Sequence, residues 1–267
     1  MADKKRHTLY DRLIEAVFKK VFRSGVKVLP FVRDDIERAA SRLGLPRPKN
    51  LGDVIYAYRY RTDPPPAILR RTPSGEHWTI VGAGKAKYEF RLVHTRRTEP
   101  RADLAVVKVP DATPEIVGAY SLSDEQALLA KVRYNRLVDI FLGVAAYSLQ
   151  NHLRTSVGGM GQIEIDELYV GVDRRGAHFV IPVQAKAASD RLGTVQTEQD
   201  LTYCAAQFPN LICRPVSAQV MVDGSICMFE MTRDGGEIKV SSEKHYRLVP
   251  ADAIAADDLK RYATDAG

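Results

Sequence analysis

The stretch QIEIDELYVGVDRRGAHFVIPVQAK, Gln162 to Lys186, constrains the fold more than any other. Its apolar residues alternate: Ile163 and Ile165, then Leu168 and Val170, then Phe179, Ile181, Val183 and Ala185. A repeat of two is the side-chain period of a strand. Asp173 to Gly176, DRRG, is a turn, so the stretch predicts two strands over Ile163–Val170 and Ala177–Ala187 joined as a hairpin. The alternation slips by one at Asp166-Glu167, as at a bend or bulge. Gln184 and Lys186 lie two apart on the face opposite Val183 and Ala185, and the hairpin brings Asp166 alongside them. Pro182 removes one ladder donor from the second strand.

The flanks predict more of the same layer. Ser123-Asp-Glu-Gln126 is a capping box, and a long helix is expected over 124–151, with a break near Asn135. A short strand is expected near Arg154–Val157. After the hairpin, a helix over Thr194–Phe208 should turn Leu201, Ala205 and Phe208 to the core. A strand Ser217–Val222 and the turns Asp223-Gly224 and Asp234-Gly-Gly236 predict an antiparallel meander to about Leu248. A short polar helix closes the chain.

Hydrolysis of a phosphodiester needs a hard cation held by oxygen ligands that leave it some water, and a nearby ammonium to offset developing charge. Asp166 offers the anionic ligand, Gln184 an amide oxygen, Ala185 its backbone carbonyl and Lys186 the ammonium. Glu164, Glu167 and Glu198 are further carboxylates that could complete the metal site. The inert reading is a buried structural glutamine beside a surface lysine and a turn-proximal aspartate.

These residues and their order resemble the PD-(D/E)XK nuclease superfamily, which includes many restriction endonucleases. The resemblance covers about residues 124–230. It implies an α/β (α+β) fold, a restriction-endonuclease-like mixed β-sheet core flanked by helices, with Asp166, Gln184 and Lys186 catalytic and Mg²⁺ as cofactor. Two positions depart from the family pattern. Ile165 stands where a loosely kept proline would be, and Gln184 where Asp or Glu is usual. If Gln184 is a ligand, Gln184→Glu should alter metal preference while leaving the fold intact.

Charge divides the 267 residues unevenly. Residues 1–110 carry 24 Lys+Arg against 12 Asp+Glu, and residues 111–267 carry 15 against 21. A basic first part suggests contact with a polyanion. That part predicts helices over 8–23, 34–43 and 51–60, the last capped by Asn50. Pro64, Pro65 and Pro66 forbid helix beyond it. Two alternating runs, His77–Val81 and Tyr88–Val93, form a hairpin with a glycine-rich basic tip. Three helices followed by a hairpin resemble the winged helix-turn-helix family. That resemblance implies a winged-helix-like DNA-binding domain over 1–110 preceding a nuclease domain over 111–267. Its expected DNA contacts are Arg59, Arg61, Lys85, Lys87 and Arg91, with Ser189 and Arg191 in the loop beyond Lys186.

No apolar run reaches the ~18 residues of a membrane helix, and the N-terminus has no secretory signal. Cys204, Cys213 and Cys227 are odd in number and lack metal-ligand spacing, which fits a reducing cytoplasm. The six histidines stand singly and suggest no metal site.

The expected function is a Mg²⁺-dependent type II restriction endonuclease. It would cut double-stranded DNA as a homodimer, with a cognate DNA methyltransferase encoded nearby. A repair or modification-dependent nuclease is the alternative within the superfamily. A catalytically inactive DNA-binding or regulatory protein is the alternative outside it.

Overall fold

The structure is a computed structural model that describes residues 2–94, 97–120, 125–157, 161–188, 190 and 192–264, with backbone alone at 2–8, 60, 61 and 97. The capping box at Ser123 lies outside the described residues. The chain forms two hydrophobic cores, one built from residues before Val93 and one from residues after Val106.

The first core begins with α1 (Ala2–Val21), whose Leu13, Ile14, Val17 and Phe18 are fully buried. Strand β1 (Val28–Val32) and helix α2 (Asp34–Arg42) follow. Asn50 caps α3 (Leu51–Tyr56) by accepting the Gly52 amide at 2.9 Å. The helix continues as a π-helical turn over Ala57–Arg61, and the Tyr58 hydroxyl donates to Asp11 of α1. The proline run does not forbid helix, contrary to expectation. Pro66 opens α4 (Pro66–Leu69), where the missing N–H would have had no partner anyway. Strands β2 (His77–Gly82) and β3 (Lys87–Val93) form the expected hairpin, and β1 adds to it in the order β1-β3-β2. The hairpin tip needs Gly84 at φ +121. Phe90 stacks on Phe31 and meets Phe18 edge-on at the centre of this core.

The second core surrounds one eight-stranded mixed sheet. Strand β4 (Arg97–Thr98) lies outside it; β5 (Val106–Pro110) forms one edge. Helices α5 (Glu115–Tyr120), α6 (Glu125–Tyr134) and α7 (Leu137–Leu142) come next. The expected long helix is therefore two short ones. Asn135 breaks it by bonding the amide of Ala112 at 2.6 Å and the Thr113 hydroxyl at 2.9 Å, and Arg136 follows at φ +51. Gly143, at φ +66, ends α7.

From Ala145 the chain is strand and not helix: β6 runs Ala145–Val157, thirteen residues, against β7 (Gly161–Val172). The hairpin continues into β8 (His178–Lys186), and Asp173 closes its turn by accepting the amides of Arg175 and Ala177, both at 2.9 Å. Strand β9 (Leu192–Gly193) pairs with β4 and leads into α8 (Thr194–Gln207). Strand β10 (Ile212–Cys213) and then β11 (Val216–Val220) return parallel to β8. Strands β12 (Ile226–Asp234) and β13 (Glu237–Val249) complete the meander, and α9 (Ala256–Thr264) packs beside β5 through Tyr262.

The sheet order is β5-β13-β12-β11-β8-β7-β6, with β10 beside β8. Helices α6 and α7 cover one face, with Leu129, Val132 and Leu137 packing in the same core as Ile181, Val183 and Ala185. Helix α8 covers the other, with Cys204 beside Ile165, Leu168 and Val180. Each fully buried aliphatic of this kind contributes about 1.5–3 kcal/mol. Among the described residues no helix is long and apolar enough to cross a membrane.

Candidate functional site

Strands β7 and β8 pair from Val172↔His178 to Glu167↔Val183 and then part. Side chains replace the missing ladder. Asp166 Oδ2 accepts the Ala185 N–H at 2.8 Å, and Gln184 Nε2 donates to the Glu164 carbonyl at 3.0 Å. The slip in alternation at Asp166-Glu167 marks this parting. Ile165 and Leu168 both pack on the α8 side, while Glu167 and Tyr169 face α6.

Behind Gln184 stands a residue the sequence did not single out. Asp200 of α8 is 1% exposed, and both of its carboxylate oxygens accept from Gln184 Nε2, at 3.2 and 3.0 Å. Gln196 Nε2 donates to Gln184 Oε1 at 3.4 Å. The Glu164 carbonyl decides the amide's orientation, because a flipped amide would set its oxygen against that carbonyl. Oε1 is thereby turned toward Gln196. Asp200 was legible only as one half of an i, i+4 pair with Gln196 on α8. The core face expected for α8 is also wrong in part. Ala205 is exposed, and the helix buries Thr197, Gln199 and Asp200 instead.

Lys186 extends past the end of β8 to Glu125 Oε1, 3.3 Å away at the start of α6. Gln219 of β11 pins the loop beyond Lys186 by donating to the carbonyls of Ala187 and Asp190 at 3.3 and 2.7 Å. Burial raises the Asp166 carboxyl above its ordinary range, against the Ala185 N–H and the Lys186 ammonium, which lower it. Burial raises Asp200 well above that range despite the Gln184 hydrogen bond, and the Asp166 charge adds to the rise.

Asp166, Lys186 and Glu164 line one cleft of about 850 Å³, and Gln184, 2% exposed, lies behind it, bonded to Gln196 of the lining. Glu164 faces the cleft paired to Arg154 at 2.9 Å. The other two supplementary carboxylates do not join them. Glu167 is fully buried on the α6 side, held by Arg133 at 2.8 Å and Ser148 at 2.6 Å. Glu198 turns away to bind Arg91 at 3.1 Å. The Ala185 N–H is committed to Asp166, and its opposite neighbour in the sheet is Ala218.

Of the residues expected to touch DNA, Arg59 and Lys85 line the cleft. Lys87 is exposed at the start of β3, beyond the cleft lining. Arg91 is engaged by Glu89 at 2.6 Å and by Glu198. The side chain of Arg61, and Ser189 and Arg191, lie outside the described residues. The structure adds Arg33, Tyr56, Tyr88 and Arg154 to the cleft, none of them marked by local pattern.

A second group of potential ligands lies elsewhere. Cys227, Glu243 and His245 put their ligand atoms within 4.8 Å of one another on the paired strands β12 and β13, and could hold a metal ion. Glu243 Oε1 already accepts the Arg101 amide at 2.8 Å and lies 2.9 Å from His245 Nε2. A soft thiolate and an imidazole suit zinc-like ions rather than Mg²⁺, and burial beside Glu243 raises the Cys227 thiol. The histidine at 245 therefore does not stand alone, contrary to the expectation from spacing.

Compared with protein families, with curated proteins and with solved structures, the chain gives no match.

Proposed function

We propose that the chain is a Mg²⁺-dependent endodeoxyribonuclease of the PD-(D/E)XK type. The observation that carries the proposal is that Asp166 and Lys186 line one cleft where β7 and β8 part, with Gln184, two residues before Lys186, held by Asp200 and Gln196. The surrounding order agrees with the resemblance: helix α6, antiparallel β6-β7-β8, helix α8, then β11 parallel to β8. In the first core, helices α1, α2 and α3 and the short α4 precede a hairpin, where winged helix-turn-helix modules have three helices. The third of these helices and the hairpin tip contribute Arg59 and Lys85 to the wall facing Asp166.

The donor chemistry fits the cation. Asp166 and Glu164 offer hard oxygen atoms in a polar cleft open to water, and Gln184 lies buried behind it. When bound there, Mg²⁺ supplies positive charge to the transferring phosphate and acidity to its water. The protein's own groups do the rest. The Ala185 N–H holds one oxygen of Asp166, which orients the other. Asp200 and Gln196 hold the Gln184 amide. The Lys186 ammonium, 13% exposed, offsets negative charge as it develops on a phosphate and exchanges its pairing with Glu125 for that contact.

The test is incubation of plasmid DNA, native and heat-denatured to single strands, with the protein in Mg²⁺ or EDTA, beside Asp166→Ala and Lys186→Ala. The expected result is cleavage that needs Mg²⁺ and falls at least about a hundredfold in either variant. Binding without cleavage in Mg²⁺ or Mn²⁺ overturns the proposal in favour of an inactive DNA-binding protein. A limited set of fragments supports the restriction reading.

A further inference from the structure

The cleft that holds Asp166 and Lys186 runs between the two cores, and its walls differ in chemistry. The wall from the second core carries Asp166, Glu164 and Glu125 with Lys186 and Arg154. The wall from the first core carries Arg33, Arg59 and Lys85, and no carboxylate among the described residues that line it. On that same wall stand two aromatic rings, Tyr56, 46% exposed, and Tyr88, whose hydroxyl accepts from Arg33 at 3.2 Å. Cations interleaved with aromatic faces are what a single nucleic-acid strand needs. The cations follow the phosphates, and the rings take the faces of unstacked bases. A paired duplex offers no base face to such rings, because each face is already stacked on its neighbour.

Size points the same way. The cleft, about 850 Å³, lies within the range of pockets that enclose a small organic ligand. One turn of duplex, about 34 Å long, is larger than such a cleft. The two parts of the chain are tied beside the cleft. Arg91 binds Glu198 at 3.1 Å, β4 pairs with β9, and Gly161 approaches the Gly84 carbonyl at the hairpin tip closely enough that an added Cβ would lie 3.9 Å from it.

We infer that the strand presented to Asp166 and Lys186 is unpaired, so that the substrate at this site is single-stranded DNA: a free strand, a flap or a locally opened duplex. The inference rests on the nuclease reading for its chemistry, and its binding test does not depend on cleavage.

The full chain is titrated in EDTA with a short labelled oligodeoxynucleotide, single-stranded or as a blunt hairpin duplex, and anisotropy is read. The single strand binds at least about tenfold more tightly, and Tyr56→Ala removes about tenfold of that affinity with no change for the duplex. Tyr56→Phe keeps it, since the ring and not the hydroxyl carries the contact. Circular dichroism of each variant checks the fold. Equal or tighter duplex binding, or single-strand binding indifferent to Tyr56→Ala, overturns the inference. Mg²⁺ is then added. Preferential single-strand binding without cleavage removes the nuclease reading and leaves the substrate class standing. Duplex cleavage with no single-strand preference does the reverse.

Discussion

Gln184 Nε2 donates to the Glu164 carbonyl and to Asp200, whose two carboxyl oxygens lie 3.2 and 3.0 Å from it in a site closed to water. Neutral Gln184 is thus backed by a carboxyl group from the next helix. These contacts fix which way Gln184 points, and several consequences follow from them.

Asp200 should make stability fall as pH rises. Its carboxyl is raised well above the ordinary range in the folded chain and is ordinary in the unfolded one. Between those two values the folded state holds the extra proton, so each step up in pH favours unfolding. For one proton the slope is at most about 1.4 kcal/mol per pH unit. Asp200→Asn should therefore gain on the parent as pH rises above the ordinary carboxylate range, read as urea midpoints. A difference that grows as pH falls contradicts this. Asp166, raised in the same direction, leaves a residual slope in the variant.

Gln184→Glu should not be structurally silent, contrary to the expectation from sequence. It sets a carboxylate against the Glu164 carbonyl and the Asp200 carboxyl and removes the donor that both use. Removing one partner of such a buried contact costs about 1–3 kcal/mol, more where a charge is left unpaired. The melting temperature should fall in EDTA and recover in Mg²⁺ by more than the parent's does. Equal Mg²⁺ responses would count against Gln184 as a ligand.

Arg133→Ala should destabilise the protein by about 3–5 kcal/mol, because it leaves the fully buried Glu167 without its cation. Arg133→Ala with Glu167→Gln should recover much of the loss. Neither change should alter the Mg²⁺ concentration that supports cleavage, since Glu167 faces α6. A shifted metal requirement would return Glu167 to the site.

Lys85→Ala and Arg91→Ala should separate in salt titrations of DNA binding. Lys85 is exposed on the cleft wall, and its loss should lower the slope of log K against log salt by about 1. Arg91 is already neutralised by Glu89 and Glu198, so its loss should leave the slope unchanged. Equal effects would place Arg91 on phosphate.

The sequence alone determined whatever a few neighbouring residues decide. Alternation from Ile163 to Ala185, with Asp173 able to close its own turn, specifies the β7-β8 hairpin without outside help. Asn50 caps α3 by reaching two residues along the chain. The slip at Asp166-Glu167 was visible for the same reason.

What remained hidden depends on partners far along the chain. Residues 145–151 carry no period that separates helix from strand, and pairing with β7 settles them as strand. Glu164, Glu167 and Glu198 look alike in sequence, but packing alone sends one to the cleft, one to Arg133 and one to Arg91. Asp200 became part of the site only when α8 crossed β8, since a buried carboxyl takes its role from what surrounds it. The cleft itself, with Tyr56 and Lys85 opposite Asp166, exists because two separate cores meet, and no local pattern encodes that meeting.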